Sequence, residues 1–204
     1  MGIGVMPTEH PLYFGMVGNN GKPYANRAMN ESDLLIMVGA RVADRSVNQP
    51  DQITHDKVLV HIDVDPAEIG KNAGPTIPLV GDARTIFEEL EKQEFFCEHE
   101  DWLRQLEEYR RTMHRVRRPN PGYVDPQHLI TRLSEKMDAD GVYVADVGQN
   151  QIWSCAYHIV RNGRFLTSGG MGTMGYSIPA ALGAKRGDMS RQVVAVCGDG
   201  SFQM

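Results

Sequence analysis

Short apolar runs recur along this sequence, and most of them end on a glycine or an aspartate. They occupy residues 34–38, 58–62 and 77–80 in the first half, and residues 142–145, 165–167 and 192–197 in the second. Helical patterns of apolar residues lie between them, at 83–93, 126–137 and 175–185. Alternation of short buried strands with helices is typical of a parallel α/β sheet. We therefore predict an α/β fold made of two Rossmann-like parallel-sheet units, both incomplete, joined by a helical connector.

The connector is predicted from a longer amphipathic pattern. Its apolar residues are spaced by three and four, and they are Trp102, Leu106, Tyr109, Met113 and Val116. A basic stretch at 115–118 suits the C-terminus of a helix, and the prolines that follow end it. We predict a first domain at 1–93, a connector at 94–124 and a second domain at 125–204. Both ends of the chain are expected to be cuts in a longer polypeptide.

Composition and charge exclude several classes of protein. The net charge of −5 argues against nucleic acid or an anionic membrane surface as the main partner. No run approaches the roughly 18 apolar residues that a membrane span needs. The three cysteines form no CxxC pair, which favours reduced thiols and a cytoplasmic location. The histidines have no metal-ligand spacing.

Polar and glycine-rich segments follow three of the predicted strands. These segments are residues 146–151, the four-glycine loop 168–175, and residues 198–201. The carboxylate of Asp199 is the hard oxygen ligand that Mg²⁺ requires, and the glycines beside it let the backbone approach a diphosphate. Each segment alone reads equally well as an ordinary turn. Because the carboxyl ends of parallel strands meet at one edge of a sheet, the three together predict a cofactor cleft there.

Residues 146–151, 166–175 and 196–204 strongly resemble the diphosphate-binding domain of thiamine-diphosphate enzymes. Within these enzymes the resemblance is to the large catalytic subunit of acetolactate (acetohydroxyacid) synthase, which more often has His at the position of Asn150. It implies that Asp199 is a Mg²⁺ ligand and that a second ligand, an Asn, lies beyond Met204. The residues implied to contact thiamine diphosphate are Val147, Gly148, Gln149, Asn150, Gly172, Met174, Gly198, Asp199, Gly200 and Ser201.

The first half of the chain resembles the middle domain of the same family, which binds FAD for structural rather than redox purposes. The matching stretches are residues 15–18, 24–26, 33–34, 38–45, 61–71 and 78–82, with Val17 where the family commonly has His. An arginine that pairs with phosphate and carboxylates that accept from ribose hydroxyls suit this role. The residues implied to contact FAD are Gly15, Met16, Val17, Gly18, Gly39, Ala40, Arg41, Asp44, Arg45, Asp63, Val64 and Asp82.

The resemblance implies a transferase of branched-chain amino-acid biosynthesis that decarboxylates pyruvate and condenses it with a second 2-oxoacid. It also implies a homo-oligomer, dimer or tetramer, whose active site is shared between subunits, and allows a regulatory small subunit. The family's activating Glu belongs to an N-terminal domain, so no catalytic acid or base is assigned in these 204 residues, and the chain alone is expected to be inactive. The alternatives are another thiamine-diphosphate enzyme (glyoxylate carboligase, sulfoacetaldehyde acetyltransferase or a 2-oxoacid decarboxylase) and a non-catalytic nucleotide-binding module.

Overall fold

The computed structural model describes residues 2–43, 47, 53–95, 98–114 and 120–204. Their contacts divide the chain into two compact units. One unit consists of the described residues of Met1–Met16 and Val116–Met204, and the other of those of Val17–Arg115.

The Val17–Arg115 unit contains a parallel sheet of three strands. They are β1 (Leu34–Val38), β2 (Val58–Asp63) and β3 (Ile77–Val80), in the order β1-β2-β3. The three runs predicted as strands are therefore confirmed. One face of the sheet buries Met37 and Leu59 against Val42, Ile53 and Ala73, and this cluster is the core of the unit.

Three helices complete this unit in the described residues: α1 (Pro23–Glu31), α2 (Ala83–Leu90) and α3 (Glu100–Thr112). The sequence pattern did not predict α1. It packs on α3, and the Tyr109 hydroxyl donates a hydrogen bond to the Glu31 carboxylate. The helix α3 confirms the amphipathic prediction but ends at Thr112, whereas the predicted pattern continued to Val116. Residues 115–118, which carry the predicted basic end, lie outside the described residues.

The unit made of Met1–Met16 and Val116–Met204, called the second unit below, is built on another parallel three-stranded sheet. Its strands are β4 (Val142–Ala145), β5 (Arg164–Thr167) and β6 (Val193–Val196), in the order β5-β4-β6. The central strand β4 is buried along its whole length. On one face, Tyr143 and Ala145 form a core cluster with Ile130 and Met137. The predicted α/β fold with two parallel-sheet units is thus confirmed.

The helices of this unit are α4 (Pro126–Lys136), α5 (Gln149–Tyr157), α6 (Ser177–Gly187) and the single turn α7 (Asp199–Phe202). Asp125 caps α4, because its carboxylate accepts from the Gln127 N–H at 2.8 Å. The helix α6 begins two residues later than predicted. The helix α5 was not predicted at all, because its glutamines and asparagine were assigned to a turn.

Residues 2–16 pack with the second unit. The Thr8 N–H donates to the Val160 carbonyl at 2.9 Å, and the Val160 N–H donates to the Thr8 hydroxyl at 3.0 Å. The predicted first domain assigned this segment to the other half of the chain. The boundaries 1–93, 94–124 and 125–204 stay a prediction. Among the described residues, no helix has the length and apolar character to cross a membrane.

Candidate functional site

The carboxyl ends of β4, β5 and β6 are in register. Ala145, the last residue of β4, lies opposite Thr167 of β5 and Val196 of β6. The chain therefore leaves all three strands at one edge of the sheet, where parallel α/β folds bind their ligands. The three segments singled out in the sequence follow these strand ends directly.

The segment after β4 enters helix α5 almost at once. Gly148 has a φ of 131°, a conformation that only glycine adopts without strain, and α5 starts at Gln149. The predicted turn of amide side chains is in fact the first turn of a helix. Gln151 donates from Nε2 to the Thr167 hydroxyl at 2.7 Å, which links this turn to the end of β5. The Oδ1 atom of Asn150 is buried and has no hydrogen-bond partner among the described residues.

The glycine loop after β5 is held by its first residue. The Gly172 N–H donates to the Ser168 carbonyl at 3.2 Å, and the Thr173 N–H donates to the Ser168 hydroxyl at 3.1 Å. Gly172 and Gly175 have φ angles of 65° and 83°, so the loop depends on glycine at both positions. The loop leads into α6 at Ser177, as the sequence predicted within two residues.

The segment after β6 forms the single helical turn α7. Gly198 precedes it, Asp199 is its first residue, and the Asp199 side chain is exposed. The buried Ser201 donates from its hydroxyl to the Val147 carbonyl at 3.0 Å. This bond ties the segment after β6 to the segment after β4.

Glycines mark the points where the three segments come closest. A Cβ atom at Gly198 would lie 3.5 Å from Asn150 Nδ2, and one at Gly200 would lie 3.2 Å from Met174 Cε. The structure thus brings the predicted thiamine-diphosphate contacts to one edge of one sheet. These residues are Val147, Gly148, Gln149, Asn150, Gly172, Met174, Gly198, Asp199, Gly200 and Ser201.

The residues at this edge fit a diphosphate with its metal ion. A Cβ atom at Gly170 or Gly172 would meet no other atom within 4 Å, so the backbone of the glycine loop is accessible to a phosphate group. The buried Oδ1 of Asn150 is an acceptor without a partner among the described residues, so it suits a donor group of a ligand rather than a phosphate oxygen. In the part of the chain that the structure describes, no group of three or more His, Cys, Asp or Glu side chains could hold a metal. One exposed carboxylate, that of Asp199, is nevertheless consistent with Mg²⁺, which proteins hold through one or two carboxylates together with phosphate oxygens.

Sequence reasoning missed Asp146 as a functional residue. Its side chain is completely buried, and it accepts hydrogen bonds from backbone N–H groups of the glycine loop and of α6. An aspartate directly after a fully apolar strand was the available signal. The sequence pattern places Asp146 in the polar segment after this strand but does not mark it as a site residue.

The other sheet also gathers predicted residues at its carboxyl edge. The Gly39 N–H, after β1, donates to the Ile62 carbonyl at 2.8 Å, and the Gly81 N–H, after β3, donates to the Asp63 carbonyl at 2.9 Å. Asp82 caps α2 through the Thr85 N–H at 3.2 Å. Of the predicted FAD contacts, this edge carries Gly39, Ala40, Arg41, Asp63, Val64 and Asp82.

The remaining predicted FAD contacts are elsewhere or outside the described residues. Residues 15–18 precede α1. The Gly18 N–H donates to Asn26 Oδ1 at 2.7 Å, and Asn26 Nδ2 donates to the Gly18 carbonyl at 2.9 Å. Gly15 and Met16 belong to one compact unit, and Val17 and Gly18 to the other. Asp44 and Arg45 lie outside the described residues.

Two family models match this chain. "Thiamine pyrophosphate enzyme, central domain" matches residues 1–90, and "Thiamine pyrophosphate enzyme, C-terminal TPP binding domain" matches residues 146–204. The second match begins at Asp146 and covers all three segments at the carboxyl edge of the β5-β4-β6 sheet. The chain belongs to the thiamine pyrophosphate enzymes.

Within that class, the chain is similar over its whole length to large subunits of acetolactate synthase. It is 36% identical over 206 residues to the "Acetolactate synthase large subunit" of Lactococcus lactis, and 40% identical over 211 residues to that of Corynebacterium glutamicum. It is 37% identical over 214 residues to the "Probable acetolactate synthase large subunit" of Methanocaldococcus jannaschii. Each comparison covers all of this chain. It covers 36% of the Lactococcus lactis relative, 34% of the Corynebacterium glutamicum relative and 36% of the Methanocaldococcus jannaschii relative. The chain therefore spans about a third of the length of these relatives.

Proposed function

We propose that this protein acts in an acetolactate synthase, in which the β5-β4-β6 sheet edge binds thiamine diphosphate and Mg²⁺. The observation that carries the proposal is the convergence of three segments on one set of strand ends, where Gly148 and Gly198 lie close to the Asn150 amide nitrogen. The Oδ1 of the same amide is buried and has no hydrogen-bond partner among the described residues. The names of the relatives support the same assignment. The proposed reaction decarboxylates pyruvate and condenses the product with a second 2-oxoacid, in branched-chain amino-acid biosynthesis.

The proposed roles follow from the chemistry of each group. Asp199 offers a carboxylate to Mg²⁺, and the first turn of α7, which follows Gly198, offers backbone N–H groups to the diphosphate. Asn150 offers a buried side-chain oxygen that can accept a hydrogen bond from a donor group of the ligand. When bound, thiamine diphosphate supplies the electron sink that decarboxylation needs, and the protein positions it and excludes water.

A binding experiment tests this function. Calorimetric titration of the protein with thiamine diphosphate should show binding that depends on Mg²⁺. Asp199→Asn should remove the Mg²⁺ dependence and weaken binding at least tenfold, because one charged ligand of the cation is lost. Asp188→Asn is the matched control, since Asp188 is another exposed carboxylate of the same unit but lies before β6 rather than after it.

Equal losses in the two variants would refute the metal role of Asp199. A complete wild-type enzyme that binds no thiamine diphosphate at millimolar Mg²⁺ would refute the assignment of the site. Turnover in the complete enzyme should be compared for pyruvate, glyoxylate and sulfoacetaldehyde. A preference for either of the last two would replace acetolactate synthesis with one of the alternative thiamine-diphosphate reactions.

FAD is proposed as a structural ligand at the carboxyl edge of the β1-β2-β3 sheet. This proposal is supported by the Gly39 backbone, which has a φ of 58° and open space where a side chain would lie, and by the exposed Arg41 beside it. Asp63 is the last residue of β2, and Asp82 follows β3. Added FAD should lose fluorescence when it binds the protein, and Arg41→Ala should weaken that binding. FAD fluorescence that stays unquenched at any protein concentration would refute the proposed FAD site.

Self-association and a cytoplasmic location complete the proposal. Large apolar side chains of the glycine loop and of α7 are exposed, including Met171 and Phe202. Exposed apolar surface of this kind favours burial against another protein surface. Light scattering should give the mass of a dimer or tetramer, and a regulatory small subunit should co-purify with the complete enzyme if one exists. A concentration-independent monomer would count against the shared active site.

A further inference from the structure

Asp146 is a buried carboxylate that accepts three backbone hydrogen bonds. Its Oδ1 accepts from the Val147 N–H at 2.7 Å and from the Gly175 N–H at 3.0 Å. Its Oδ2 accepts from the Ser177 N–H at 2.7 Å. Gly175 ends the glycine loop and Ser177 begins α6, so one side chain binds two consecutive elements that are 29 and 31 residues away in sequence.

The charge of this carboxylate is compensated by these donors. Burial alone would raise the pKa of Asp146. The backbone N–H groups of Ser177 and Val147 that donate to the carboxylate oppose that effect, and the pKa lies below its ordinary value of 3.8. The group is therefore ionised at neutral pH, and hydrogen bonds to a charged acceptor are stronger than those between neutral groups.

The backbone of residues 146 and 147 connects the remaining segment. The Asp146 N–H donates to the Val196 carbonyl of β6 at 2.8 Å, and the Val147 carbonyl accepts from the Ser201 hydroxyl at 3.0 Å. All three segments of the proposed cofactor edge are thus tied to these two residues. Met174, whose Cε approaches Gly200, directly precedes the anchored Gly175.

We propose that Asp146 is a positioning residue for the cofactor site: its carboxylate fixes the end of the glycine loop and the start of α6. Asp146 itself is completely buried, so it acts through the loop that it holds. This inference rests on the proposed function of the site. It predicts that weakening the Asp146 bonds lowers cofactor affinity while leaving the fold in place.

Asp146→Asn tests the inference. The amide keeps the shape of the side chain but presents one acceptor oxygen instead of two, so at least one loop N–H loses its partner. Hydrogen exchange of the Gly175 or Ser177 amide should accelerate about tenfold to a hundredfold, the factor expected for losing a hydrogen bond to a charged group. Calorimetry should show at least tenfold weaker binding of thiamine diphosphate with Mg²⁺. Asp188→Asn, the control used above, should change neither quantity.

The other possible results each refute the positioning role, the contact itself or the proposed function. Unchanged exchange at both amides, or faster exchange with unchanged cofactor affinity, overturns the positioning role. A variant that unfolds makes Asp146 a determinant of folding instead, and likewise overturns it. In the wild type, a scalar coupling through the hydrogen bond between the Ser177 amide nitrogen and the Asp146 carboxyl carbon should be measurable, and its absence refutes the contact itself. If the wild type binds no thiamine diphosphate, the proposed function fails, while the exchange data still show whether Asp146 holds the loop.

Discussion

Ser134 lies at the centre of a buried hydrogen-bond cluster, and Ser134→Ala should destabilise its unit measurably. The Ser134 hydroxyl donates to the Ile130 carbonyl at 2.8 Å and accepts from the Ile159 N–H at 3.2 Å. Its Oγ also lies 2.7 Å from Nδ1 of His158. Because the single hydroxyl proton is used by Ile130, the His158 Nδ1 must carry the proton of the third bond.

The cost of this substitution follows from the groups left behind. Removing the hydroxyl would leave the N–H of Ile159 and the Nδ1–H of the buried His158 without a partner. A buried donor that loses its partner costs about 1–3 kcal/mol. Ile159 is half-exposed and can recover part of this from water, and alanine favours the helix by about 0.5 kcal/mol. We expect a net loss of about 2 kcal/mol in the free energy of unfolding.

Urea unfolding followed by tryptophan fluorescence measures this loss. Trp153 packs against the core cluster of the same unit, and the chain has two tryptophans, so Trp102→Phe isolates the signal. Ser190→Ala is the control, because the Ser190 hydroxyl makes an exposed bond to Asp188. Exposed substitutions of this kind change stability by less than about 0.5 kcal/mol. A Ser134→Ala variant as stable as the control would refute the hydrogen-bond account of the cluster.

Two further predictions concern the same unit. Burial, and then the charge of Arg161, lower the pKa of His158 from 6.5 to about 4. As pH falls, the unfolded chain therefore takes up a proton on His158 before the folded chain does. The free energy of unfolding should fall by about 3 kcal/mol as pH drops from 6.5 to 4. Urea midpoints across this range should show a smaller fall in His158→Gln, and an equal fall would contradict the assignment. Asp125→Ala should cost about 1 kcal/mol by removing the cap of α4, whereas Asp125→Ser should restore most of it; amide exchange at Gln127 that is equal in both variants would argue against the cap.

The positions of the strands can be predicted from the sequence alone. The runs at 34–38, 77–80 and 142–145 match β1, β3 and β4 residue for residue, because a short apolar run bounded by glycine or aspartate is a local signal. The cofactor edge can also be predicted in outline. In a parallel sheet, successive strand ends must meet at one edge, so three polar segments after three strands could be placed together without coordinates.

Tertiary structure decided which of the weaker local patterns became helices. The α5 sequence begins with three amide side chains and favours a turn locally, yet Trp153 and Tyr157 pack on the core and Ser154 bonds the Tyr143 hydroxyl at 2.8 Å. The helix α1 is similarly supported by its packing on α3. Helices this short gain most of their stability from packing rather than from intrinsic propensity.

Only the tertiary structure could assign roles to Asp146, Ser134 and His158. Their partners lie 24 to 31 residues away, and sequence periodicity carries no information on which distant backbone N–H meets a given carboxylate or imidazole. The buried environment also sets the charge of each group, because desolvation and hydrogen bonding act in opposite directions and their balance depends on geometry. The sequence thus located the cofactor edge, and the packing of the chain determined what holds it in place.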